Sequence, residues 1–228
     1  MQDRAPIRLL ITAGPTHEPI DRVRYLANRS SGRLGVALAD EGAARGWSVT
    51  LLLGPTHHEP TSQAIATHRF STTAELGALL DEHAPRCDAL VMAAAVADYR
   101  PTPPPDADPK IKRSAAELVL RLEPTPDLLA RAASRKRPDQ LFIGFALEPR
   151  ERMIESATSK LRRKGLDLIV VNPLETMDAP DIEATIITRP TSDQATQPEA
   201  LAPMSKRAFA RELIDRIARR FSHDTSPE

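Results

Sequence analysis

Only one cysteine, Cys87, occurs in this 228-residue chain. That excludes an intramolecular disulfide framework and leaves no second thiol for a zinc site, so a reducing, cytoplasmic setting fits best. An excess of charge of either sign is also missing: Lys and Arg total 31, as do Asp and Glu. No global positive field is therefore available to drive binding along nucleic acid, and no nucleic-acid partner is expected. No apolar run approaches the roughly 20 residues that cross a bilayer, and none near the start has the shape of a signal peptide, so no membrane partner is expected. The glycine fingerprint G-x-G-x-x-G and the phosphate loop G-x-x-x-x-G-K-[ST] are absent, as is H-E-x-x-H. The six histidines form no ligand set, because His57 and His58 adjoin a turn and cannot easily chelate one ion together. No protein metal ligand is assigned.

With 41% hydrophobic residues and no internal repeat, the chain suits a single domain over residues 1–228. Strand-like runs at 7–12, 49–53, 89–93, 141–145, 168–171 and 182–188 alternate with helical patterns. Helices are expected from a Ser30 or Ser31 cap to about Arg45, and over 73–83, 150–164 and 205–220. Such alternation argues for a parallel α/β sheet. Gly46 suits a left-handed cap, and Thr72 with Glu75 has capping-box spacing. Residues 101–113, rich in proline, read as an exposed flexible loop, because proline lacks the amide donor that a helix or inner strand needs. Residues 190–203 are polar and without periodicity.

Several short elements can carry chemistry. Asn28-Arg29-Ser30-Ser31-Gly32 places an amide and two hydroxyls at a helix start, where free amides and the helix dipole favour a phosphate or carboxylate. Ala93 to Ala97 give close backbone approach beside Asp98. Lys110-Ile111-Lys112-Arg113 leaves the proline-rich loop; such a run is ordinarily a solvated basic face. Thr125-Pro126-Asp127-Leu128 reads locally as a helix start with Thr125 as cap and Pro126 in the first position. Lys160 and Lys164 share one helix face through their i,i+4 spacing.

Together with Ile11-Thr12-Ala13-Gly14-Pro15-Thr16 and the following residues to Tyr25, these elements resemble phosphopantothenoylcysteine synthetase, in the same order and nearly throughout residues 7–220. Further matches are Ala93 to Arg100, Ile143-Gly144-Phe145-Ala146-Leu147-Glu148 and Asp167-Leu168-Ile169-Val170-Val171-Asn172. The chain departs from the pattern at Thr125, where the family has asparagine, and at Leu147, where it has a small residue. The fold implied is α/β: a Rossmann-like or ribokinase-like three-layer sandwich with a mostly parallel central sheet.

The reaction implied joins 4'-phosphopantothenate to L-cysteine through an acyl cytidylate formed with CTP. Mg²⁺ would travel on the nucleotide, and no flavin would take part. By resemblance, Asn28 and Lys110 are catalytic, and Ser30, Ser31, Gly32, Ala94 and Ala95 bind substrate. Gly14, Thr16, Asp98, Lys110, Thr125, Pro126, Asp127, Leu128, Phe145, Lys160 and Lys164 bind nucleotide, and the lysine loop would close as a lid. The family is a homodimer, with Arg24 near its interface. A free-standing synthetase is expected, since nothing resembling the flavin-dependent decarboxylase domain that often precedes it occurs here. A nicotinamide-dependent oxidoreductase is disfavoured by the missing glycine fingerprint and by Leu53 leading straight into Gly54-Pro55-Thr56, with no acidic residue. A noncatalytic nucleotide-binding or scaffold module is the remaining alternative.

Overall fold

The apolar runs become the centre of an eight-stranded sheet. In the computed structural model, residues 5–102, 111, 117–177, 179, 181–190 and 197–222 are described. β1 (Arg8–Ala13), β2 (Ser48–Leu53), β3 (Ala66–Arg69), β4 (Ala89–Met92), β5 (Leu141–Glu148) and β6 (Leu168–Pro173) run parallel. β7 (Thr185–Thr188) and β8 (Pro198–Ala200) add antiparallel pairs at one edge. The spatial order is β8-β7-β6-β5-β4-β1-β2-β3.

Strand alternation divides the core between two faces. Leu9, Ile11 and Ala13 of β1 pack with Val36 and Leu38 of α1 (Arg33–Ala44), and with Phe209, Leu213 and Ile217 of α5 (Lys206–Ser222). Leu10 points the other way. It joins Leu76 and Leu80 of α2 (Thr73–His83), Leu128 and Leu129 of α3 (Leu128–Ala133), and Ala157 and Leu161 of α4 (Met153–Lys164). Helices cover both faces, which is why the inner strands read as continuous apolar runs instead of alternating ones. Each fully buried Leu, Ile or Phe contributes on the order of 1.5–3 kcal/mol relative to exposure.

α1 lies unusually close to β1, because a Cβ on Gly35 would fall 2.4 Å from the Ala13 Cβ. Glycine to alanine inside a helix ordinarily gains about 1 kcal/mol. Here the sign should invert: Gly35→Ala is expected to destabilise by about 1–3 kcal/mol through overpacking. A thermal-unfolding midpoint that rises would show that the helix and strand have room to spare.

Helix 73–83 and its Thr72–Glu75 capping box are found as expected. Gly46 takes the left-handed conformation, φ 74°, just beyond α1. Other boundaries differ. The 182–188 run splits, with Asp181–Ile182 pairing with Met204–Ser205 in a separate ribbon and only Thr185–Thr188 joining the sheet. The 150–164 helix opens with a 3₁₀ turn, Arg150–Arg152, before α4. β3, β8 and the ribbon of Tyr99–Pro101 with Leu122–Pro124 were not foreseen. Of loop 101–113, only residues 101, 102 and 111 are described.

The chain leaves β1 toward β2 and β3 on one side, then returns to β4 on the other. At such a reversal the connections after the two strands diverge, leaving a crevice outside their carboxyl ends.

Candidate functional site

The exits of β1 and β4 are laced together by backbone and threonine hydrogen bonds. Gly14, at φ 82°, makes the turn that follows β1. The Ala95 N–H donates to the Gly14 carbonyl at 2.9 Å, and the Thr16 N–H to the Ala95 carbonyl at 3.2 Å. Two buried hydroxyls complete the lacing, with Thr12 Oγ1 accepting from the Ala94 N–H at 3.0 Å and Thr16 Oγ1 from the Ala97 N–H at 2.9 Å. From above, Asn28 Nδ2 donates to the Val96 carbonyl at 2.8 Å, and Thr125 Oγ1 to the Ala97 carbonyl at 2.5 Å. The small residues thus hold a fixed backbone ledge, with the Asn28 amide pinned over it.

That ledge floors a cleft of about 830 Å³ outside the carboxyl ends of β4, β5 and β6. The volume suits a small-molecule ligand of nucleotide size. Lys160 and Lys164 reach it from α4. Lys160 pairs with Glu148 at 2.5 Å, and Lys164 with Asp127 at 2.9 Å. Burial pushes the Glu148 carboxyl up, but hydrogen bonds from Lys160 and Ser156 outweigh it and leave the pKa lowered. Asp127 shows the same balance: burial raises it, while the Lys164 hydrogen bond and the Ala130 N–H bring it down. Both carboxylates are therefore ionised at neutral pH, and each is ion-paired to a lysine at the cleft wall. Phe145 is steadied edge-on by Phe209, with ring centroids 6.4 Å apart.

The expected site residues divide into three groups. Asn28, Ala94, Ala95, Asp98, Thr125, Pro126, Asp127, Leu128, Phe145, Lys160 and Lys164 are brought together around the cleft. Gly14, Thr16, Ser30, Ser31 and Gly32 are not on its lining. Gly14 is buried and Thr16 has no exposed surface, so both support the ledge from beneath. Lys110 lies outside the described residues.

Two local expectations are corrected. Neither Ser30 nor Ser31 is the cap of α1; the cap is Gly32, in a left-handed backbone conformation (φ 70°), and the two serine hydroxyls accept from the Gly32 and Arg33 N–H groups at 3.4 Å. Ser31 is also held by Thr56 Oγ1, which donates to its carbonyl at 2.5 Å. Similarly, Asp127 and not Thr125 caps α3, accepting from the Ala130 N–H at 3.1 Å, because the Thr125 hydroxyl is engaged by Ala97. Asp98 is exposed, and the nearby Arg100 pairs with Glu123. Reading the sequence assigned no site role to Thr12 or Asn172, though both lie in matched segments, and missed Lys206; Asn172 and Lys206 line the cleft. The Thr12 hydroxyl looked like ordinary strand content, and Lys206 joins the cleft only once α5 has docked.

Beside the site, residues His17–Pro19 and Tyr25–Ala27 form a hairpin. Buried Asp21 closes it, taking N–H groups from Val23 and Arg24 at 2.8 Å and from Ile111 at 3.1 Å, along with the Arg24 guanidinium. The Arg24 hydrogen bond comes first among the causes that hold its carboxyl well below the ordinary range. A depressed folded pKa gives stability that is complete above the unfolded value of about 3.9 and is lost as pH falls toward the folded one. The stability difference between wild type and Asp21→Asn should therefore be flat above about pH 5 and shrink below about pH 4. Denaturant titrations at stepped pH measure it, and a difference that grows on acidification would refute the assignment.

Among proteins of known sequence, one from an unidentified prokaryote, named as a cysteine/cysteine sulfinic acid decarboxylase, is 48% identical over 168 residues. The match covers 74% of this chain and 46% of that protein. The coenzyme A biosynthesis bifunctional protein CoaBC of Mycobacterium tuberculosis strain H37Rv is 37% identical over 224 residues, covering 94% of this chain and 53% of the relative. The chain thus spans about half the length of these relatives. A crystal structure of the C-terminal domain of a CoaBC protein superposes with TM-score 0.78 at 32% identity, covering 96% of this chain and 97% of that one. Residues 5–221 match the family described as the DNA/pantothenate metabolism flavoprotein C-terminal domain. Fold and sequence agree, and the chain belongs to that family.

Proposed function

We propose that this domain is a phosphopantothenate–cysteine ligase. One observation carries it: the cleft brings the pinned Asn28 amide, the backbone ledge 94–98 and the two α4 lysines to one ligand-sized space. The CoaBC name of the 37%-identical relative and of the superposing domain supports the same chemistry.

In the first step a carboxylate oxygen of 4'-phosphopantothenate attacks the α-phosphorus of CTP, and the bond to pyrophosphate breaks. Lys160 and Lys164 face the charge that accumulates on the phosphates. In the second, the cysteine amine attacks the acyl carbon, its proton departs, and CMP leaves with the bonding pair. One Asn28 N–H is committed to Val96, which orients the other toward a developing oxyanion. Neither step exchanges electrons with a cofactor, so no flavin is called for. Preference for CTP over ATP rests on the resemblance of the lysine and proline-loop pattern.

Mg²⁺ fits this lining. No group of three or more His, Cys, Asp or Glu suited to a metal occurs among the described residues. An ion that keeps its waters and arrives on phosphates needs few protein ligands, and Asp98 and Asp181 offer exposed carboxylates on the wall. When bound, the ion neutralises phosphate charge.

The same proposal takes the protein as a cytoplasmic homodimer; no described helix is long and apolar enough to cross a membrane. Support for the dimer comes from two adjoining ribbons that expose Val23, Tyr25, Tyr99 and Leu122, an apolar grouping that marks an interaction surface. Sedimentation at micromolar concentration tests it, a monomer with full activity being the adverse result.

A noncatalytic nucleotide-binding module is the competing class, given Thr125 and Leu147. Pyrophosphate release from purified protein with 4'-phosphopantothenate, Mg²⁺ and CTP or ATP, with and without cysteine, separates the two. Turnover that requires cysteine supports the ligase. A folded protein that binds nucleotide yet releases no pyrophosphate moves the assignment to the module.

A further inference from the structure

The cleft has cations on both sides of the sheet, and only one side was legible beforehand. Lys160 and Lys164 come from α4, which packs on the sheet face marked by Phe142, Ala146, Ile169 and Val171. Lys206 lines the same cleft from α5, which packs on the opposite face, marked by Ile143, Leu168 and Val170. Three positions separate Lys206 from Phe209, so the two share one face of α5. Phe209 in turn meets Phe145 edge-on at the cleft wall. Lys206 therefore stands one helical turn above the Phe145 contact, beside the carboxyl ends of β5 and β6. Its position is fixed by two further contacts. The Ser205 Oγ accepts from the Ala208 N–H at 3.2 Å, and Ser205 sits opposite Asp181 in the short ribbon.

From this placement we infer that Lys206 is a third phosphate-binding lysine, holding the nucleotide's phosphate chain from the α5 side while Lys160 and Lys164 hold it from the α4 side. The inference rests on the ligase proposal for the identity of the ligand. A polyphosphate lying over the ends of β5 and β6 presents oxygens to both helical layers. Cations confined to one layer would leave the far oxygens facing Leu147 and Leu174, both exposed apolar side chains on the lining.

The test compares Lys206→Ala, Lys206→Arg and, as a surface control, Arg207→Ala. Initial rates of pyrophosphate release give KM for CTP and for 4'-phosphopantothenate separately, and calorimetry gives the affinities for CTP and for inorganic pyrophosphate alone. Lys206→Ala should raise KM for CTP by about tenfold or more, as loss of a hydrogen bond to a charged group does. It should weaken pyrophosphate binding in parallel and leave KM for 4'-phosphopantothenate within about twofold. Arginine should restore most of the loss, and Arg207→Ala should match wild type. Unchanged affinities for CTP and pyrophosphate would overturn the inference. So would an effect confined to 4'-phosphopantothenate, or a lowered unfolding midpoint with normal KM. If the wild type releases no pyrophosphate with either nucleotide, the ligase proposal fails by itself. The titrations then still decide Lys206, weaker binding by the alanine variant supporting it and equal binding overturning it.

Discussion

Asn28→Asp is expected to lower turnover by about 10²–10³-fold, the usual cost of removing one oxyanion donor, while pyrophosphate is still released in the first turnover. The asymmetry follows from where the amide stands. Its Nδ2 donates to the Val96 carbonyl at 2.8 Å, which fixes the side chain over the ledge at the cleft lining and leaves its second N–H for a ligand. A carboxylate has no N–H for either purpose and would place negative charge against the Val96 carbonyl. Phosphate chemistry at the lysine end needs no donor from residue 28, so activation should survive while attack by cysteine on the acyl carbon stalls. Quench-flow detection of a pyrophosphate burst without sustained release, with an acyl nucleotide recovered from the enzyme, is the expected outcome. Uniform loss of both steps would instead mean that Asn28 holds the ledge in place. Asn28→Ser, which keeps a short donor, helps to separate the two: partial recovery of the second step favours direct action.

What could be read from the chain alone was whatever depends on near neighbours. The Thr72–Glu75 box needs only four residues, and it is found with helix Thr73–His83. The i,i+4 spacing of Lys160 and Lys164 follows from helical pitch, and both side chains line the cleft. Long-range burial was not legible. Thr16 sat in a motif that resembled a ligand-binding turn, yet its hydroxyl is spent on the Ala97 amide 81 positions away, and no surface remains for a ligand. Ser30 and Ser31 had the right chemistry for a cap. They lost that role to Gly32 because the chain enters α1 through a left-handed residue, and glycine adopts that conformation without steric cost. Likewise, residues 182–188 have one alternating pattern but two pairing partners, the Met204–Ser205 ribbon and the sheet. Period alone cannot reveal where a strand changes partners.

Lys160→Gln and Lys164→Gln should each reduce kcat/KM for the nucleotide by about 10–100-fold, from the roughly 1.5–3 kcal/mol that a hydrogen bond to a charged group carries. The same substitutions should barely move stability. Their partners in the ligand-free protein are Glu148 and Asp127; Lys160 is 35% exposed, and the Lys164 pair opens to solvent through Asp127, 43% exposed. Ion pairs with one side open to solvent contribute on the order of 1 kcal/mol. If the lysines served only to hold the β5 end and the α3 cap, the order would reverse, with a measurable fall in unfolding free energy and near-normal kinetics. The two effects can be read from one set of variants by urea titration and pyrophosphate release. Lys160 and Lys164 act on one ligand from adjacent turns of α4, so the double variant should lose less than the product of the single losses. Strict additivity would place them on separate ligands. Removing Glu148 or Asp127 tests the exchange from the other side. In the free protein each carboxylate competes with phosphate for its lysine, so Glu148→Gln should not raise KM for nucleotide through Lys160. A rise as large as that of Lys160→Gln would mean that the ion pair itself, and not the freed ammonium, is what the nucleotide recognises.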